Sequence, residues 1–191
     1  MARINNPLRK KVSADLISNV EEIDSKGKTS KKTSRSVIDG RPKIDRLDTD
    51  DLYQAFSTRF NFYIDESEST AVIDNIKCAV IKFRPKPNLK ADGLTDQIIN
   101  RLTGSVYINI DNFQIIKIEG SINYHFYAEY VAWFLLNIPI GVDFYQFYFL
   151  VEYTVFNDIV IEKNLIGTAD YEIRNRGTEK HHYTLSNYRF R

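Results

Sequence analysis

The sequence predicts a mainly β, α+β protein: an antiparallel sheet of long strands joined by tight turns, with one or two short helices. Three observations carry this reading. From Phe60 to the C-terminus, β-branched and aromatic residues alternate with period two in runs that stop at Asp, Asn, Gly or Pro. Only one stretch, 50–60, has clear helical spacing. The 191 residues are 43% hydrophobic and 27% charged, enough apolar material for one buried core and outside the compositions of disordered chains. A single domain over 1–191 follows, with residues 1–10 expected to be disordered.

Taken in order, VSADLISNVEE and TSKKTSRSVI flank Asp24-Ser25-Lys26-Gly27, and a Gly-containing turn between β-branched runs predicts a long, polar hairpin. Asp39-Gly40-Arg41-Pro42 reads as a turn. Thr49 or Asp48 then caps DDLYQAFSTRF, where Leu52, Phe56 and Phe60 share one helical face. The period changes to two in NFYIDE, IKCAVIKF, SVYINID and QIIKIEGSI, which read as strands. Pro85 and Pro87 end the second of these, and the later half of RPKPNLKADGLTDQIINRL predicts one helical turn. Asp111-Asn112 joins the third and fourth strands into an antiparallel hairpin.

Residues 124–140, YHFYAEYVAWFLLNIPI, carry aromatic and aliphatic side chains on every face, so a short helix or lid fits as well as a strand. Glu129, Asn137 and Pro139 make this stretch a poor membrane span. VDFYQFYFLVEYTVF follows as a central strand rich on both faces, with Tyr145, Phe147, Phe149, Val151, Tyr153 and Val155 on one of them. Turns at Asn157-Asp158 and Asn175-Arg176-Gly177 complete an antiparallel meander.

Charge and cysteine exclude several function classes. The 26 Lys and Arg balance 25 Asp and Glu, so no global field favours nucleic acid. The balance is uneven: residues 1–46 hold 12 basic against 6 acidic side chains, and the remainder holds 14 against 19. Cys78 is the single cysteine; it allows no intramolecular disulfide and reads as a small buried hydrophobe. The first residues show no apolar segment typical of a signal peptide, so the expectation is either a cytosolic protein or an exported one whose signal has been removed.

Four segments carry a family likeness: VEEIDSKGK at 20–28, CAVIKFRPKP at 78–87, LTGSVYINIDNFQIIKIEGSI at 102–122 and TLSNYRF at 184–190. Together they resemble the bacterial outer-membrane lipoprotein carriers and sorting proteins, the Lol-type carrier superfamily, and within it an uncharacterised envelope branch. The resemblance implies a strongly curved antiparallel sheet, an incomplete barrel, folded around short helices with an apolar hollow between them. It also implies a place in the bacterial periplasm or cell envelope and a lipid, or the acyl chain of a lipoprotein, as partner.

About half of the 25 aromatic residues fall between Tyr124 and Phe156. Phe126, Tyr130, Trp133, Phe134, Tyr145, Phe147 and Phe149 are the candidate lining of a ligand cavity, with 124–140 as a movable gate; the same residues could instead fill a core. His181 and His182 are adjacent on a strand and point to opposite faces, so they do not share a metal, and no metal or other cofactor is expected. Asp65, Glu66 and Glu68 sit in a solvated DESEST loop, and no nucleophile, phosphate-loop or dinucleotide motif occurs. The expectation is a non-enzymatic binder of a hydrophobic ligand. The alternative is an envelope interaction or sensing domain that docks a partner protein through an aromatic surface or a free β edge.

Overall fold

The computed structural model describes residues 12–39, 43–44, 47–132, 138–156, 159–172 and 176–190. The N-terminal hairpin forms as expected: β1 (Val12–Ile23) pairs antiparallel with β2 (Thr29–Asp39). Asp24 closes its turn, Oδ1 accepting from the backbone N–H groups of Lys26 and Lys28, both at 2.9 Å, while Gly27 supplies the left-handed φ of 76°. A two-residue pair follows, β3 (Lys43–Ile44) and β4 (Leu47–Asp48). The turn expected at 39–42 and the disorder expected at 1–10 fall mostly outside the described residues.

Helix α1 (Thr49–Thr58) begins where the capping residues predict, but it stops short of Phe60, which opens β5 (Phe60–Tyr63). Phe56 still meets Phe60, with ring centroids 5.6 Å apart, and meets Phe83 at 5.2 Å. A single 3-10 turn at Glu66–Glu68 leads into β6 (Thr70–Ile73), a strand the sequence reading left inside a loop. Its signal is Asp74-Asn75, with φ of 48° and 66°, the geometry of a hairpin turn that needs left-handed residues at both positions. That turn delivers β7 (Ile76–Pro85). Both β5 and β6 pair with β7, so they form one interrupted edge strand.

After Pro85 the chain makes α2 (Leu94–Ile99), the expected helical turn, then the hairpin β8 (Thr103–Asn109) and β9 (Ile115–Ile122). The 124–140 segment is no helix where it is described: β10 (Phe126–Ala132) pairs antiparallel with the start of β11 (Ile138–Phe156), from Phe126–Phe144 to Ala132–Ile138. The meander closes with β12 (Ile159–Glu172) and β13 (Arg176–Phe190). Arg176 and Gly177, expected in a turn, already pair with Glu172 and Tyr171 in the β12–β13 ladder; Asn175 lies outside the described residues.

The strands make one large antiparallel sheet that does not close into a barrel, in the order β2-β1-β13-β12-β11-β9-β8-β7-β5. β11 is central, as predicted. Among the described residues the edges are β2 on one side and β5 with β6 on the other. Both helices sit at the β5–β10 end, α1 against β4 and β5 and α2 against β10, while β3 approaches β12. One cluster of buried side chains runs from Ala55 and Phe60 through Ile98, Ile99 and Leu102 to Phe149, Leu165 and Tyr183; this fixes which face of the sheet is internal.

Candidate functional site

Cross-strand register builds the inner face from rows of partners. One row passes Phe83, Gly104, Gly120, Phe149, Gly167, His181, Val20 and Lys32, one residue from each of β7, β8, β9, β11, β12, β13, β1 and β2. Its chemistry changes along the sheet, from aromatic and glycine through small residues to polar and cationic ones. At Gly120 an added Cβ would lie 2.5 Å from the Phe149 ring, and at Gly104 2.6 Å from the Phe83 ring. The outer ends of both rings therefore occupy the space over glycine backbone, where a larger residue would leave them no room. Phe149 is 0% exposed. Here the aromatic residues fill the space between the sheet and the helices.

Of the predicted lining residues, the structure brings Phe126, Phe147 and Phe149 into the one buried cluster. Phe126 stacks on Phe144 at 5.0 Å with an interplanar angle of 10°, and the Arg101 guanidinium sits 4.8 Å above the Phe126 ring. Tyr145 does not join them. Between Phe144 and Gln146 the β11–β12 register shifts, with Phe144 opposite Tyr171 and Gln146 opposite Asp170, so Tyr145 is the extra residue of a β-bulge. The bulge reverses the alternation that sequence period two assumes. Phe144 is buried in the place expected of Tyr145, and the Tyr145 hydroxyl donates to Glu172 Oε2 at 2.9 Å, its ring beside His125. Tyr130 lies in β10, with its side chain outside the described set; Trp133 and Phe134 lie outside the described residues.

Beyond Phe144 the inner face becomes polar. Phe144 meets Tyr171 at 6.1 Å. The Tyr171 hydroxyl donates to Glu179, Glu179 Oε2 lies 3.4 Å from His181 Nε2, and the Tyr183 hydroxyl lies 3.2 Å from His181 Nδ1. These partners assign the proton to Nε2, which donates to the carboxylate, while Nδ1 accepts from Tyr183. His181 is 7% exposed, whereas His182 is exposed, as adjacent strand positions require. The sequence reading passed over this chain, although Glu179, His181 and Tyr183 stand at period two in TEKHHYTL. Small residues lie beside it on β12: Gly167 is paired with His181 and Phe149, and Ala169 with Glu179 and Phe147.

The outer face has its own ladder. Glu119 accepts from the Tyr107 hydroxyl and, at 3.1 Å, from Lys117 Nζ, which also sits 4.1 Å above the Tyr107 ring. Burial, then the bond to Glu119, holds the Tyr107 hydroxyl well above its ordinary pKa. Cys78 is fully buried and desolvation raises its thiol, consistent with a packed, inert side chain. Among the described residues no three His, Cys, Asp or Glu side chains converge as a metal site would need.

Two open clefts flank α2. One of about 470 Å³ is lined by Gln54, Thr58, Arg59 and the Asp92–Asp96 turn, and one of about 550 Å³ by 85–89, Gln97, Asn100 and Arg101. Their polar groups are already engaged: Arg59 holds Asp96 at 2.7 Å and Asn100 Oδ1 at 2.9 Å, and Arg101 donates to Gln97 O at 2.8 Å. The aromatic to polar inner face of β11–β13 is accordingly the stronger candidate.

No family model matches the chain, and no curated protein does. Among solved structures it is similar to a DUF1329 family protein from Desulfovibrio piger, at 8% identity and a TM-score of 0.43 over 95% of this chain and 86% of that one. It is also similar to a LolA superfamily protein from Nitrosomonas europaea, at 9% identity and a TM-score of 0.34 over 96% of this chain and 87% of that one. At these scores the alignments carry neither a family assignment nor a ligand.

Proposed function

We propose that the protein binds a hydrophobic ligand without catalysing a reaction, and that the ligand is a lipid or a lipoprotein acyl chain held over the inner face of β11–β13 in the bacterial envelope. One observation carries the reading: the inner face drops from Phe147 and Phe149 on β11 to Ala169 and Gly167 on β12, then rises to Glu179, His181 and Tyr183 on β13. Small side chains between larger apolar and polar neighbours are the place where an amphiphile would fit if the packing over this buried face opened. Removing the ligand tail's own apolar area from water, at about 25 cal/mol per Å², would drive binding beside β11, and the β13 side chains would meet a polar end. The sequence likeness to lipoprotein carriers points the same way.

Entry has to respect the observed pairing. β10 is hydrogen-bonded to β11 along its length, so a gate formed by all of 124–140 would require that ladder to open.

The test is solvent extraction and mass spectrometry of the purified protein, as isolated and after delipidation and challenge with phospholipid vesicles. A bound lipid, lost in Ala169→Phe while the far-UV circular dichroism is kept, is the expected result. No bound or bindable lipid under any condition would sink the proposal. Periplasmic fractionation of the tagged gene product checks the location.

The second reading, docking of a partner protein, is favoured by the exposed apolar residues at one end of the sheet, with Phe113 81% exposed on the tip of the β8–β9 hairpin. Loss of partner capture in Phe113→Ser, with no lipid found, would select it.

A further inference from the structure

The sheet ends on two edges of opposite charge, and we propose that these edges join copies of this chain head to tail, the β2 edge of one copy pairing with the β6 edge of the next. This inference is independent of the ligand reading. It begins with an edge strand that has nothing on its far side among the described residues: β2 pairs with β1 alone, and residues 29–37 are exposed on both faces of the strand. Lys31, Lys32 and Arg35 lie along it, Lys26 and Lys28 lie in the turn before it, and no acidic residue occurs from 26 to 37. Such lysines ordinarily guard an edge against pairing with another chain.

The opposite edge has the complementary sign. Residues 61–75 include Asp65, Glu66, Glu68 and Asp74 and no Lys or Arg. Since β5 and β6 both lie along the same side of β7, this stretch is the outermost one on its side among the described residues. It also exposes apolar side chains, Ile64 at 65% and Val72 at 71%, and the basic edge exposes Val37 at 58%. Exposed β-branched residues on unpaired strands are the material of a further ladder.

Charge decides which ladder can form. Two β2 edges would bring Lys32 and Arg35, with Lys31 that bridges to Glu21 at 3.5 Å, against the same cations, and two acidic edges would bring Asp65, Glu66 and Asp74 against the same anions, Glu68 being held by Lys82; both symmetric contacts repel. Only β2 against β6 attracts. The lysines that block self-pairing of like edges therefore steer the unlike pair together. Such a contact is heterologous, so it does not close at a dimer but extends until it forms a ring or an open chain. β6 has four residues, and the 3-10 turn at Glu66–Glu68 interrupts the edge before it, so the ladder is short and the association weak and reversible.

Sedimentation velocity of the full chain over a concentration series, at ~20 mM and ~500 mM salt, reads this directly, because exposed charges are screened within a few ångströms at the higher ionic strength. The expected result is species growing past the dimer at low salt and dissociating at high salt. Two charge-reversed variants give a second readout: Lys31→Glu with Lys32→Glu and Arg35→Glu on one edge, and Glu66→Lys with Asp74→Lys on the other. All five positions are exposed, and Asp65 and Glu68 are left alone because they bond Ser67 and Lys82. Each variant alone is expected to stay monomeric, and the two mixed to associate, since each then offers the edge the other lacks. A wild-type chain that is monomeric throughout, a dimer that does not grow, or variants that associate alone as well as the wild type would each overturn the proposal. Circular dichroism of the variants and the salt response of the wild type separate lost folding from lost association.

Discussion

At the scale of single residues, two positions show how local geometry becomes stability. Gly120 lies under the Phe149 ring so closely that a Cβ would approach to 2.5 Å. Gly120→Ala is therefore expected to destabilise by about 1–3 kcal/mol, the usual range for an overpacked core, and Phe149→Leu should relieve part of that loss. A double-mutant cycle by urea unfolding measures it; strictly additive effects would mean that the ring does not press on Gly120. Tyr188 is a second case. Its hydroxyl donates to Glu162 O at 2.8 Å, and burial, then the Glu162 charge, pushes its pKa from 10.0 up to about 12. In the unfolded chain the hydroxyl ionises at the lower value, so the unfolded state sheds this proton first. The stability contribution is present below pH 10.0 and is lost as pH rises toward 12. Unfolding free energy against pH should fall across this window, and less steeply in Tyr188→Phe. Tyr145 supplies the contrary lesson, because period two placed it with Phe147, while one extra residue in the β11 ladder turned it to Glu172.

Among the elements, β10 depends most on a contact that no pattern announces. Its edge away from β11 has no neighbouring strand there among the described residues. Gln97 of α2 takes that place: its Nε2 donates to Glu129 O at 2.7 Å and its Oε1 accepts from Glu129 N at 3.3 Å. A side-chain amide so placed copies the bonds of an adjacent strand. Gln97→Ala should cost about 1 kcal/mol and speed amide hydrogen exchange at Glu129 before that of the β11–β12 ladder. Equal protection at Glu129 in both proteins would show the clamp to be idle. The element types themselves were legible where propensity, turn chemistry and period agreed, as in the N-terminal hairpin, α1 and the β8–β9 hairpin. They were not legible at 124–140, where apolar side chains on every face fit a helix and a doubly buried strand equally. β6 was legible in principle through Asp74-Asn75, but its four residues are too few for period two to stand out.

For the whole molecule, β1 pairs with both β2 and β13, so residues 12–23 meet residues 176–190 across nearly the full chain. Closing such a loop must precede the contacts that reward it. Refolding from urea is therefore expected on the ms to s scale of proteins rich in non-local pairing, with probes in β1 and β13 gaining structure in the slow phase. Stopped-flow refolding that finishes within microseconds would contradict this order. The same pairing makes the inner face continuous from Phe83 to Lys32, with His181, Tyr183 and Leu185 of β13 buried on it.

The sequence by itself determined the class of fold, an antiparallel sheet with one or two short helices, because β-strand period, hairpin turns and helix spacing are local and each is written within a few residues. It also determined that His181 and His182 face apart, but it grouped Tyr145 with Phe126, Phe147 and Phe149, which the bulge in β11 separates. Only the tertiary structure decided which strands are edges, where the ladder bulges, and which residues form the row from Phe83 through Gly120 and Phe149 to His181. Those features depend on register between strands distant in the chain, and register is set by packing across the sheet, which no single segment contains.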